Sequence, residues 1–278
     1  DIFPNELLAL DSGDCLEPVS GRSCKDPTFG LDALWIAAEQ KVDAIAAGYT
    51  VVDPATVVAT HLNQLVSKAS SQLFGHDEAQ ALTGALKTAY PHLAQSLTPT
   101  PFSLTAITQI CRSLLTEQVP LRDFRAIASA MLDSHAGDMS IPTLVEQVRQ
   151  RIGGTIIQTI VPAYMPLPVI TIDPDLETLL CRSVLNAPDA SWPFEPELGR
   201  QLISSLEQAL HPLQAAARSC ALLTSPTCRA ALARILRGSA VELPVLSFLE
   251  VPDGKAIDIV ATIGGNSQLV APATDKEG

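Results

Sequence analysis

Val169-Ile170-Thr171-Ile172-Asp173-Pro174 decides how the second half of this 278-residue chain is read. Four β-branched residues in a row make a strand, and the Asp-Pro step after them is an N-cap with proline at the first helical position. The same grammar returns at Cys220-Ala221-Leu222-Leu223, a short apolar run after which Ser225-Pro226 opens a helix reaching about Arg237. Between the two lies a long helical pattern from Pro196 to about Ala217, and beyond them come strands over 244–251 and 257–263. Strand, helix and strand in succession predict a small α/β layer with a partly parallel sheet, because parallel neighbours need a crossover. Pro252-Asp253-Gly254-Lys255 between the last two strands reads as the turn of a hairpin. From Ala271 onward, polar and small residues without an apolar period read as a disordered tail.

Toward the N-terminus the pattern changes. From Asp77 to about Ile152 only helical periodicity is visible, broken at Pro91, at Thr98-Pro99-Thr100-Pro101, at Val119-Pro120 and around 137–142. The clearest helix starts at the N-cap Ser103, gathers Leu104, Ile107, Ile110, Cys111, Leu114 and Leu115 on one face, turns Arg112 and Glu117 to water, and stops at Pro120. Before this third, Tyr49-Thr50-Val51-Val52 reads as a strand and Asp53-Pro54 opens a helix from about Ala55 to Phe74. Leu31, Leu34, Trp35, Ala38, Val42 and Ile45 recur at three- and four-residue spacing ahead of Gly48, which predicts an amphipathic helix packed on a small sheet. Leu7-Leu8-Ala9-Leu10 is a brief strand, followed by turn chemistry at Asp11-Ser12-Gly13-Asp14. The expected fold is mixed α/β in several subdomains: a small α+β N-terminal part, an all-helical middle and a C-terminal α/β part.

Charge excludes one class of partner. Thirty acidic against 18 basic side chains give a net charge of −12, and the arginines between residues 102 and 160 are matched by acids, so no basic face is available to neutralise phosphates. The hydrophobic fraction of 47% raises the question of a membrane span. The apolar stretch from Val51 to Val66 is cut by Asp53, Pro54, Thr56, Thr60, His61, Asn63 and Gln64, short of the roughly 18 uninterrupted residues a spanning helix needs. Asp1-Ile2-Phe3 has no basic region leading into an apolar core, as a signal peptide would, and the missing initiator Met points to a fragment or a processed chain. Six cysteines, at 15, 24, 111, 181, 220 and 228, show no CxxC pair and no metal-ligand spacing. They read as scattered reduced thiols in a cytosolic compartment.

Nucleotide, nucleophile-elbow and zinc-protease motifs are absent from the sequence. Asp173, Asp175 and Glu177 sit where a strand meets a helix, a place where α/β enzymes bind ligands, yet the same acids cap and stabilise a helix N-terminus. His61 reads as a histidine with its hydrogen bonds met rather than a general base, Gly264-Gly265 as a strand end, and Trp35 and Phe29 as core. Patterns alone describe a multidomain protein of no stated activity.

One long string goes further. Lys25-Asp26-Pro27-Thr28-Phe29-Gly30-Leu31, then Ala33 and Trp35-Ile36, then Gly48-Tyr49-Thr50-Val51-Val52-Asp53-Pro54-Ala55-Thr56-Val57-Val58-Ala59-Thr60-His61-Leu62 resembles the signature of the type III secretion export-gate family, FHIPEP. The likeness continues through Leu114-Leu115, Arg122-Asp123, Val148-Arg149, Ile152-Gly153, Leu243-Pro244-Val245-Leu246-Ser247 and Ala261-Thr262-Ile263-Gly264. It departs at Gly154, where the family usually has arginine, and at Pro120, which replaces a helix-capping residue.

The resemblance implies a cytoplasmic domain of a longer, multi-pass protein of the bacterial inner membrane. Residues 1–53 would be mostly its second subdomain with the end of a truncated first, 54–73 a helix returning to the first, 74–153 the helical third and 154–278 the α/β fourth. It further implies a docking platform for flagellar export chaperones carrying late substrates, with Asp26, Phe29 and Thr60 at the site and Leu10, Leu31, Val52 and Val57 around it. Contacts with the export ATPase complex and other export-gate proteins, and self-association into a nine-membered ring, come with it; catalytic residues, a cofactor, a metal and nucleic acid do not. The nearest rival is the same role in a virulence injectisome, with Thr60 and the strand ending in Gly264 favouring the flagellar branch. An enzyme using Asp173, Asp175 or Ser225 is the rival from another class.

Overall fold

The computed structural model describes residues 2–11, 19–27, 30–135, 137, 139–187, 192–215, 218–239 and 241–264. The chain divides into two units, Asp1–Leu73 and Phe74–Gly278. Phe29, the turn at Ser12 to Asp14, Cys15, Gly265 and the tail from Ala271 lie outside the described residues.

In the first unit, β1 (Glu6–Leu10), β2 (Arg22–Lys25) and β3 (Asp32–Ala37) are followed by a 3-10 turn (Ala38–Gln40), α1 (Lys41–Ala46), β4 (Thr50–Val52), α2 (Pro54–Lys68) and α3 (Ser70–Leu73). The strands form one antiparallel sheet in the order β2-β3-β1-β4. Both faces of β3 are covered. Ala33 and Trp35 join Leu8 and Val57 of α2 on one side, whereas Ile36 joins Ala9, Ala44, Ala47 and Tyr49 on the other.

That double coverage corrects the helix expected over 31–45. A strand buried on both faces carries apolar residues at nearly every position, and such a run satisfies helical spacing as readily as strand alternation. Only Lys41–Ala46 is α-helical, and it buries Ala44 while Val42 and Ile45 stay exposed. Gly48, at φ +97°, closes it with a left-handed residue.

The second unit opens with six helices: α4 (His76–Ala89), α5 (Pro91–Leu97), α6 (Leu104–Thr116), α7 (Phe124–Ser134), α8 (Ile141–Arg151) and α9 (Gly153–Ile157). Ser103 caps α6 by accepting from Ala106 N at 3.2 Å. The α/β layer follows as β5 (Leu167–Ile172), α10 (Pro174–Asn186), α11 (Pro196–Ala215), β6 (Ala221–Thr224), α12 (Pro226–Arg237), β7 (Val245–Ser247), a 3-10 turn (Phe248–Glu250) and β8 (Ile257–Ile263). Its sheet is parallel throughout, in the order β7-β6-β5-β8. Leu167, Val169, Ala221 and Leu246 face the helical core, and Ile170, Ile172, Leu222, Val245 and Ile263 face the core built with α10 to α12.

The expected terminal hairpin is therefore absent. β7 and β8 occupy opposite edges, and residues 248–256 carry the chain across the sheet between them. The turn at Gly254 is real, but two anchors re-aim the chain on either side of it. Glu250 is buried against Arg149 at 2.7 Å, and Lys255 Nζ donates to the carbonyls of Pro162, Ala163 and Met165 at 3.3, 3.1 and 2.7 Å.

A second correction concerns Glu117, expected in water. It sits at the end of α6 in a buried ionic cluster, where Arg229 of α12 binds both Glu117 and Glu146 of α8. Arg149 bonds Glu250 through Nε and places Nη1 3.1 Å from Glu117 Oε2, a charge contact not aligned as a hydrogen bond. Arg237 lies 3.5 Å from Glu117. Three guanidinium groups and three carboxylates thus join α6, α8, α12 and the turn before β8.

Candidate functional site

The first unit holds an apolar groove of about 570 Å³ between the sheet and α2. Asp53 aims α2 by accepting from Thr56 N at 2.9 Å and Thr56 Oγ1 at 2.6 Å, with Pro54 in the first helical position. The Thr56 hydroxyl, and then its amide, hold the Asp53 carboxyl below the usual carboxylate range. So oriented, α2 buries Val57 against Leu8 and Trp35, which form the groove floor. Val58, Leu62 and Leu65, 44%, 58% and 49% exposed, form its wall on α2. Lys25 and Pro27 line it from the segment after β2, and half-buried His61 lines it from α2.

The seven residues expected at the site are placed unevenly. Leu10, Val52 and Val57 share the cluster under the groove, though only Val57 reaches its surface. Asp26 is buried between the two groove residues Lys25 and Pro27, and its loop is closed by Asp26 N donating to Leu31 O at 2.9 Å and Gly30 N to Asp26 O at 3.0 Å. Leu31 is 41% exposed at the start of β3. Thr60 is exposed on α2, one turn beyond Val57. Phe29 lies outside the described residues.

Residue patterns missed the groove wall. Its signal was the width of the apolar stripe on α2, where Val57, Val58, His61, Leu62 and Leu65 exceed what one buried face requires. His61 departs from the expectation of met hydrogen bonds, since its buried Nδ1 has no partner among the described residues.

In the second unit the strand-end acids serve as fasteners. Asp173 Oδ1 accepts from Asp175 N at 3.0 Å as an N-cap, and Glu177 Oε1 accepts from Thr224 Oγ1 and Ser225 N, each at 2.7 Å. Ser225, expected to cap α12 in the same way, makes no side-chain cap bond. A cleft of about 740 Å³ between α7 and α9, lined by Asp123, Arg125, Asp133 and Arg151 together with Ala126, Ala130 and Ile152, contains none of the expected site residues. No group of three or more His, Cys, Asp or Glu suited to a metal ion occurs among the described residues, and no helix there is long and apolar enough to cross a membrane.

A profile of the FHIPEP family matches residues 1–256. The chain belongs to the FHIPEP family. Flagellar biosynthesis protein FlhA of Salmonella typhimurium is 38% identical over 266 residues, which cover 95% of this chain and 38% of that protein. FlhA of Treponema pallidum is 32% identical over 261 residues, covering 92% of this chain and 37% of that protein. The FHIPEP chain thus spans well under half the length of these relatives.

Solved structures agree on the fold. Nonameric SctV-C of EPEC superposes with a TM-score of 0.75 at 21% identity, over 95% of this chain and 79% of that one. Chlamydia pneumoniae CdsV, in its complex with CdsO, gives 0.80 at 20% identity over 95% and 76%. The mixed α/β architecture with two sheets is that of these solved structures.

Proposed function

We propose that this chain is a non-enzymatic docking platform of a flagellar type III export gate, at the cytoplasmic face of the inner membrane. In this reading the first unit receives export chaperones carrying late substrates. The observation that carries the proposal is the apolar groove beside α2, since a concave apolar surface with a few polar groups at its edge is what a partner helix or short apolar segment buries. Asp26, Phe29 and Thr60, with Leu10, Leu31, Val52 and Val57 around them, are the proposed site, and Leu62 and Leu65 extend it. Identity of 38% to the flagellar biosynthesis protein FlhA, against 21% to EscV of a type III secretion system, supports the flagellar branch. The nonameric SctV-C and EscV structures and the CdsV–CdsO complex support a ring of this chain with an additional export partner, the role proposed here for the ATPase complex.

Calorimetric titration with a flagellar chaperone–substrate complex tests the site. Micromolar binding is expected, lost in Phe29→Ala, Asp26→Ala and Leu62→Glu variants that keep the wild-type melting temperature. Leu62 is exposed, so Leu62→Glu separates loss of docking from loss of fold. Undiminished binding by all three would overturn the site.

A further inference from the structure

The cysteines are scattered in sequence, but two of them meet. Cys181 of α10 and Cys228 of α12, 47 residues apart, bring their Sγ atoms to 2.7 Å. Cys181 is half-buried and Cys228 is buried. The approach is built into the layer: α10 and α12 follow the parallel neighbours β5 and β6, begin at the same end of the sheet, and pack on one another. Glu177 of α10 ties the start of α12 through Thr224 Oγ1 and Ser225 N, and Ser225 Oγ lies 3.1 Å from Cys181 Sγ. That carboxylate ties the start of α12 to α10 beside the two thiols.

We propose that Cys181 and Cys228 form a redox-responsive dithiol, which a small-molecule disulfide converts to an intramolecular disulfide tying α10 to α12. Cys181 Sγ, the more accessible sulfur, attacks one sulfur of the reagent. A mixed disulfide forms, and the first reagent thiol leaves with the proton from Cys181. Cys228 Sγ then attacks Cys181 Sγ, the mixed disulfide breaks, and the second reagent thiol leaves with the proton from Cys228. Two protein thiols lose two electrons and one reagent disulfide is reduced to two thiols.

Burial, with the hydrogen bond to Cys181, pushes the Cys228 thiol up to about 12. The second step therefore limits closure at neutral pH and quickens as the solution is made alkaline, because the thiolate is the attacking form. Closure joins a stretch of chain that contains α11 and β6, and restricting it in the unfolded state raises the melting temperature of the oxidised form.

The test is incubation of the chain with oxidised glutathione, alkylation of remaining thiols, and mass spectrometry of a non-reducing digest. The expected product is a Cys181–Cys228 linked peptide pair, with the free-thiol count down by two of six, formed faster at pH 9 than at pH 7, and a melting temperature that rises and returns on reduction. Cys228→Ser should hold Cys181 as a stable glutathione adduct, whereas Cys181→Ser should leave Cys228 unmodified; circular dichroism confirms that both variants fold. A wild type that accumulates the Cys181 adduct, or keeps both thiols free for alkylation, overturns the proposal.

Discussion

Arg229 is 1% exposed, and its charge is tolerated only because Glu117 and Glu146 take up its donors. Burial works against that guanidinium, but the two carboxylates outweigh it and keep it protonated. Removing one member of a buried ionic set leaves the others uncompensated, so Arg229→Met is expected to cost about 3–5 kcal/mol, read from the urea midpoint. Glu117 and Glu250 respond to pH in opposite senses. Burial raises the Glu117 carboxyl, yet Arg229, Arg149 and Arg237 lower it further, and its net position is below the usual value. Its contribution is thus present above the unfolded value of roughly 4.3 and lost as pH falls through the lower folded one. Burial pushes the Glu250 carboxyl up against the pull of Arg149, so acidification first relieves a penalty there. Glu117→Gln should flatten the loss of melting temperature below about pH 4, while Glu250→Gln should leave that acid limb in place.

Elements built from caps and prolines were legible in the sequence. Ser103 and α6, Pro174 and α10, and Pro226 and α12 stand where the sequence puts them, because a cap or an N1 proline acts through residues within one turn of itself. Replacing Ser103 by Ala removes the acceptor for Ala106 N and should cost about 1 kcal/mol, measured by denaturant titration. Elements fixed by distant partners were not legible. β3 imitates a helix because α1 and α2 bury both its faces, and the direction of β8 depends on Lys255 and Glu250 meeting groups about a hundred residues away in sequence. The site divides the same way: the string around Asp26 and Thr60 was visible, but the wall of Val58, Leu62 and Leu65 emerged only once α2 lay on its sheet. At Gly153 the start of α9 abuts the backbone of the turn before β8, and a Cβ there would run into the Glu250 carbonyl oxygen. Gly153→Ala is expected to destabilise by about 1–3 kcal/mol, with the urea midpoint falling accordingly.

At the scale of the whole molecule, the two large cores of Phe74–Gly278 are built, among the described residues, from that unit's own side chains. Residues 74–278 expressed alone should keep their helical circular dichroism and melt in one cooperative transition; a chain lacking that transition would mean the larger unit depends on the smaller. Among its described strands the last is a neighbour of the first: Leu167 of β5 pairs with Ile257 of β8, and Ile172 with Ile263. On the ribosome β5 emerges some ninety residues before the strand that completes it. Local helices such as α6 can condense at once, but one margin of the parallel sheet stays unpaired until translation has passed residue 263, and long-range closure of this kind is slow. The nascent chain therefore carries a temporary sticky edge, so the arrival of β8 governs when the layer stops being vulnerable to association.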